Sequence, residues 1–178
     1  NMLLNAPDSS NFIGLRDKAM LELMYATGVR ISELINLQYT NIDLTRSLIK
    51  VMGKGGKERM IPFGDNALYW LTEYVEYRRT NNLSLKSRDF FVSQQGKKMT
   101  RQAFWHRVKQ YLAISGLSDN VSPHTLRHAF TTHLLNNGAD LRSVQMLLGH
   151  SDLSTTQIYT HIAKQRLSDM VKEHHPRG

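Results

Sequence analysis

The chain has 178 residues, 40% of them hydrophobic, which is long and apolar enough for one domain with a full core. Lys and Arg outnumber Asp and Glu by 23 to 15, and the resulting net charge of +8 attracts polyanions: nucleic acid first, ribosomal or membrane surfaces as the other basic-protein partners. Cysteine is absent, which excludes disulfides, zinc–thiolate sites and thiol nucleophiles, so any covalent chemistry needs another side chain.

The opening NMLLNAPDSS lacks the basic start and apolar stretch of a signal peptide, and no run reaches the ~18 apolar residues of a membrane span. A soluble, cytoplasmic protein without membrane association is the simplest reading. Met2, Leu3 and Leu4 look like the tail of an apolar helix, as in a piece cut from a longer protein. Ala19, Met20, Leu23 and Met24 predict a helix over 16–27, closed by Gly28 in a left-handed cap, which leaves Arg30 just beyond a helix end. A second short helix is expected from Ser32 as N-cap, carrying Leu34, Ile35 and Leu37. The stretch SLIKVMGKGGKERMIPF reads as strand, turn and strand, with Gly53, Gly55 and Gly56 supplying unusual backbone angles and Lys54 and Lys57 at the tip.

Leu68, Leu71 and Val75 mark an amphipathic helix over 65–79, followed by a polar loop and a short strand, DFFVS. Thr100 predicts the cap of a helix whose stripe is Phe104, Val108, Tyr111 and Leu112, ending at Gly116; its charged side, Arg101, Arg107 and Lys109, is available to DNA. VSPHTLRHAFTTHLLNNG has the strongest boundary signals: Ser122 as cap, Pro123 in the first helical position, Gly138 past the end. Further helices are expected from Asp140 to Gly149, from Ser154 through Tyr159, and around Leu167, Met170 and Val171. The sum is a mainly α domain with a small antiparallel β-sheet.

His124 and Arg127, three apart near a helix N-terminus, share a face suited to an anion, although H-x-x-R is common by chance. His124 and His128 have metal-ligand spacing, but the cation Arg127 between them and the lack of a carboxylate argue against a metal. His133, near Phe130 and Leu134, reads as a packed structural residue. GKGGK lacks the spacing and following helix of a nucleotide-binding loop, so it is a hairpin turn. GHSDLSTTQIYTH places Tyr159 nine residues after His150.

Read in order, ATGVRISEL, GKGGKER, HTLRHAFTTHLL and LLGHSDLSTTQIYTH resemble the catalytic domain of the tyrosine site-specific recombinases, across nearly the whole chain. GLRDKAMLEL, MTRQAFWHR and the ending HHPRG narrow the likeness to the bacterial chromosome-dimer recombinases, which act in chromosome partition and cell division. The resemblance implies that residues 1–178 are the catalytic domain, with an N-terminal DNA-clamping domain lying outside this chain. It also implies a double-stranded recombination site as substrate, a second related recombinase in a heterotetrameric synapse, a DNA translocase as a further partner, and a C-terminal segment that docks on a neighbouring protomer. It assigns Tyr159 as nucleophile, Arg30 and Arg127 to the non-bridging phosphate oxygens, and Lys54 as general acid with Lys57 as its alternative. His124 and His150 match the family's two histidines, their division of labour left open, and Glu33 orients Arg30.

The chemistry suits those residue types. A free phenol has a pKa of about 10, so roughly one molecule in a thousand is phenolate at pH 7 and the nucleophile must be activated by its surroundings. Two guanidinium forks stabilise the charge of a five-coordinate phosphorus as metals do elsewhere, so neither metal nor other cofactor is required. Exchange of a phosphodiester for a phosphotyrosine ester retains bond energy, so rejoining needs no ATP. A type IB topoisomerase would share this chemistry and religate the same strand, and a non-catalytic DNA-binding module would use Tyr159 only for packing.

Overall fold

A computed structural model describes residues 2–81, 87–117 and 120–136, apart from the side chains of Lys54, Leu135 and Asn136. The described residues form α1 (Met2–Asn5), α2 (Phe12–Thr27), α3 (Ile31–Ile35), β1 (Ile42–Asp43), β2 (Leu48–Met52), β3 (Glu58–Pro62), α4 (Asp65–Thr80), α5 (Arg101–Ile114) and α6 (Pro123–Asn136). The strands make one antiparallel sheet in the order β1-β2-β3. A mainly helical fold with a small antiparallel sheet is therefore present. Gly138 and the helices expected after it lie outside the described residues.

Helix α2 is the centre of the core. Asn11 caps it by accepting from the Gly14 N–H (2.8 Å), and a Cβ on Gly14 would lie 1.8 Å from the Asp8 carbonyl oxygen, so only glycine fits there. The helix is buried almost all round, against α4 on one side and α6 on another. Its charged residues are buried with it, each with partners. Asp17, fully buried, accepts from Arg16 Nη2 (2.9 Å), Arg107 Nε (3.0 Å) and the Tyr111 hydroxyl. Lys18 pairs with Glu22 (3.1 Å) and donates to the Leu4 carbonyl oxygen (2.6 Å). Such groups must be paired to stay inside.

Helix α5 begins where expected, with Thr100 Oγ1 accepting from the Ala103 N–H (3.0 Å), and Phe104, Val108, Tyr111 and Leu112 are buried. Its supposed DNA face needs one correction. Arg107 is drawn inward to the buried Asp17, while Arg101 and Lys109 remain exposed. The DFFVS strand also shrinks, to single bridges at Asp89 and Val92. Arg78 Nη1 donates to the carbonyl oxygens of Asp89 (3.1 Å) and Phe90 (2.6 Å), and Tyr74 donates to the same Phe90 oxygen (2.9 Å), so side chains supplement backbone bonds such as Phe90 N–H to the Leu37 carbonyl oxygen (2.9 Å).

The β2–β3 hairpin turns through a 3-10 turn at Lys54–Gly56, where Gly55 and Gly56 have φ of 76° and 74°. Gly53 is extended (φ −93°), contrary to expectation, because the reversal is completed by the two residues after Lys54. Gly55→Ala should accordingly destabilise by about 1 kcal/mol, the cost of a left-handed Cβ. Gly53→Ala should stay within about 0.5 kcal/mol, since its Cβ would meet nothing nearer than the Lys57 carbonyl oxygen at 3.4 Å and Arg59 Nε at 3.8 Å. Equal shifts of the urea midpoint for the two variants would contradict this assignment of the turn.

Candidate active site

The site is assembled at the corner between α2 and α3. Gly28, at φ 71°, ends α2 by donating its N–H to the Met24 carbonyl oxygen (2.9 Å), and the following Val29 is buried. Arg30 then emerges exposed as the N-cap of α3. Its backbone N–H donates to Glu33 Oε1 (3.0 Å), so the cap acceptor comes from inside the helix. Ser32 is thus the second residue of the helix rather than its cap.

Helix α6 approaches the same corner. Ser122 Oγ accepts from the Thr125 N–H (3.1 Å) and Thr125 Oγ1 accepts from the Ser122 N–H (2.7 Å), a reciprocal cap built from two hydroxyls. Leu126, Phe130 and Leu134 are buried, with Phe130 edge-on to the Tyr25 ring of α2. Packed this way, Arg127 reaches across to donate from Nε to the Gly28 carbonyl oxygen at 2.6 Å. The left-handed turn that releases Arg30 thus also anchors Arg127.

A third arginine completes the cluster. Arg59, opposite Val51 in the β2–β3 register, pairs through Nη2 with Glu33 Oε2. Both Glu33 oxygens are therefore engaged, one by the Arg30 backbone and one by Arg59. Among the described residues neither Arg30 nor Arg127 forms an ion pair. Burial first, then the nearby Arg30 and Arg59 guanidiniums, push the Arg127 pKa below the ordinary guanidinium value, against an opposing pull from Glu33. Among the described residues, three cations surround one carboxylate at this corner, an excess of positive charge suited to an anion with two free oxygens, such as a phosphodiester.

Arg30 and Arg127 are thus brought together. His124 lies one turn before Arg127 and is exposed, and the backbone of Lys54 begins the hairpin turn. Lys57 is exposed beside it, its carbonyl oxygen bonded by the Gly53 N–H (2.7 Å). His150 and Tyr159 lie outside the described residues. His133 is exposed rather than packed, with Nδ1 2.6 Å from the Tyr25 hydroxyl. Arg59 escaped sequence reasoning, although strand alternation puts it on the same face as the buried Ile61, where a charged residue requires a partner.

The phage integrase family model matches residues 1–166. Tyrosine recombinase XerD of Proteus mirabilis is 57% identical over 178 residues, covering 99% of this chain and 57% of that protein. XerD of Haemophilus ducreyi is likewise 57% identical, covering 99% of this chain and 60% of that protein. The chain therefore spans less than two thirds of the length of these curated relatives. Among solved structures, XerA recombinase superposes with a TM-score of 0.68 at 32% identity, over 99% of this chain and 63% of its own. XerH site-specific recombinase bound to palindromic difH substrate, a post-cleavage complex, gives 0.63 at 29% identity, over 94% of this chain and 48% of its own.

Proposed function

The chain belongs to the phage integrase family, and from that premise we propose that it is the catalytic domain of a tyrosine recombinase that cleaves and rejoins DNA at a specific site. The observation that carries this reading is the convergence of Arg30 and Arg127 on the Gly28 corner, with Glu33 satisfied by other donors. In the reaction, the two guanidiniums hold the non-bridging oxygens of the scissile phosphate while Tyr159 passes its phenol proton to a histidine or to the phosphate and its Oη attacks phosphorus. The phosphorus–O5′ bond breaks, a 3′-phosphotyrosine ester forms, and Lys54 gives its proton to the departing 5′ oxygen. Attack by the 5′ hydroxyl of another strand reverses these steps and exchanges the strands. His124 and His150 assist the phosphate and its proton transfers.

Three of the described tyrosines are poor alternatives as nucleophile. Burial raises the phenol pKa of Tyr39, that of Tyr74 to about 12, and that of Tyr111, which the Asp17 carboxylate raises further. A nucleophile needs the opposite shift. The likeness to relatives named XerD supports a role in chromosome partition at cell division. A XerC-like second recombinase and an FtsK-like translocase are the partners that the family resemblance implies. The XerH complex supports a double-stranded recombination site as substrate. No helix among the described residues is long and apolar enough to cross a membrane.

A nicked substrate that loses its 5′-hydroxyl fragment on cleavage tests the reading by trapping the covalent adduct. Recombinant junctions distinguish strand exchange from relaxation by a topoisomerase. Lys54 is tested separately. A 5′ alkoxide is a leaving group nearly as basic as hydroxide, the conjugate base of water at pKa about 15.7, so Lys54→Ala should slow cleavage of an ordinary phosphodiester by about 100-fold. A substrate with sulfur in the 5′-bridging position releases a thiolate without needing a proton and should restore most of that rate. Equal defects on both substrates would remove Lys54 from the leaving group, and the same pair of substrates with Lys57→Ala decides between the two lysines.

A further inference from the structure

Among the described residues, Glu33 is the one carboxylate that pulls on the Arg127 charge, and it sits next in space to the exposed Arg30. A carboxylate so close to two phosphate-binding guanidiniums is a competitor for them. It has the geometry to pair bidentately with an arginine, and such a pair would neutralise half of the clamp before DNA arrived. Glu33 is nevertheless kept away from both guanidiniums. Oε1 is held by the Arg30 backbone N–H (3.0 Å), a donor that carries no net charge, and Oε2 by Arg59.

The placement of Arg59 fits that duty. Its Nε is buried with no hydrogen-bond partner among the described residues, so the side chain is directed at Glu33 rather than shared among several acceptors. Its stem runs beneath the hairpin: a Cβ on Gly53, the residue before Lys54, would lie 3.8 Å from Arg59 Nε. The same guanidinium therefore joins the base of the lysine-bearing turn to the helix that presents Arg30.

We propose that Arg59 is a positioning residue that occupies Glu33, keeping that carboxylate off the guanidiniums of Arg30 and Arg127 and setting the Lys54 hairpin against them. In this account Arg59 acts through Glu33 rather than on the DNA. Neutralising Arg59 releases Glu33 to pair with Arg30 or Arg127, and removing the negative charge of Glu33 at the same time abolishes that competition. Gln at position 33 can still accept from the Arg30 N–H, because a capping box tolerates Glu or Gln alike. This inference rests on the recombinase reading above.

The test is a double-mutant cycle in the full-length protein, read as the rate of covalent adduct formation on the nicked substrate. Adduct formation by the unaltered protein tests the recombinase reading by itself, independently of any variant. Given that adduct, Arg59→Gln should lower the rate about tenfold or more, and Arg59→Lys, which retains a positive charge for Glu33, should recover part of it. The decisive comparison is Glu33→Gln with Arg59→Gln, which should cleave within about threefold of Glu33→Gln alone. A purely structural Arg59 would instead lose the same factor in either background, and that result overturns the proposal. Should Arg59→Gln fail to fold because Glu33 loses its charged partner, the double variant should fold and cleave at the Glu33→Gln rate. A double variant that also fails to fold, or cleaves no better than Arg59→Gln, overturns it too.

Discussion

Arg30→Lys and Arg127→Lys should each slow adduct formation by about 1,000-fold while leaving the protein folded. A lysine keeps the positive charge, so long-range attraction to DNA survives. It loses the planar fork that holds two oxygens at once, and stabilisation of charge in the transition state is where a lost donor costs 10²–10³ or more. The two sites should differ in a second respect. Arg127 anchors itself through Nε to the Gly28 carbonyl oxygen at 2.6 Å, whereas the guanidinium of Arg30 is exposed and only its backbone is tied down. Arg127→Lys should therefore also lower stability, by about 1 kcal/mol for the lost hydrogen bond, and Arg30→Lys should not. Single-turnover rates and urea unfolding of the two variants check both halves. Near-normal cleavage by either would remove that residue from the phosphate clamp.

Tyr159→Phe is expected to abolish the covalent adduct altogether, with the fold and DNA affinity retained. The substitution deletes one oxygen, and no other side chain in the proposed mechanism is a nucleophile towards phosphorus. The cysteine-free sequence offers no thiol to replace it. Gel-shift titration alongside the nicked-substrate assay separates binding from cleavage. An adduct surviving at even a few per cent of the original rate would show that another residue attacks.

The parts of the fold that were legible in the sequence are those specified by local chemistry. Gly28 closes α2, Thr100 opens α5, and Ser122 with Pro123 opens α6, because each cap is a bond between a side chain or a left-handed turn and its own neighbourhood. What escaped was set by distant partners. Asp17 and Lys18 look like surface residues of an amphipathic helix until Arg107, Tyr111 and the Leu4 carbonyl oxygen arrive from elsewhere in the chain. Arg107 was assigned to DNA for the same reason. At the site, Arg30 and Arg127 were identified from their motifs, yet the bond from Arg127 to Gly28 and the pairing of Arg59 with Glu33 join segments far apart in sequence. Motifs single out candidate reacting groups. Only the packed structure shows which of their neighbours are already occupied.

The central claim is that this chain carries the nucleophile of a phosphoryl transfer at Tyr159, in front of an arginine clamp formed by Arg30 and Arg127. Its most direct test is to trap the adduct on a nicked recombination site, digest protein and DNA, and locate the nucleotide remnant by mass spectrometry. The account predicts that the remnant is carried by the peptide containing Tyr159, as a phosphotyrosine ester to the 3′ end that cleavage creates. A remnant on any other residue, a 5′-linked ester, or cleavage with no protein-bound nucleotide would contradict it.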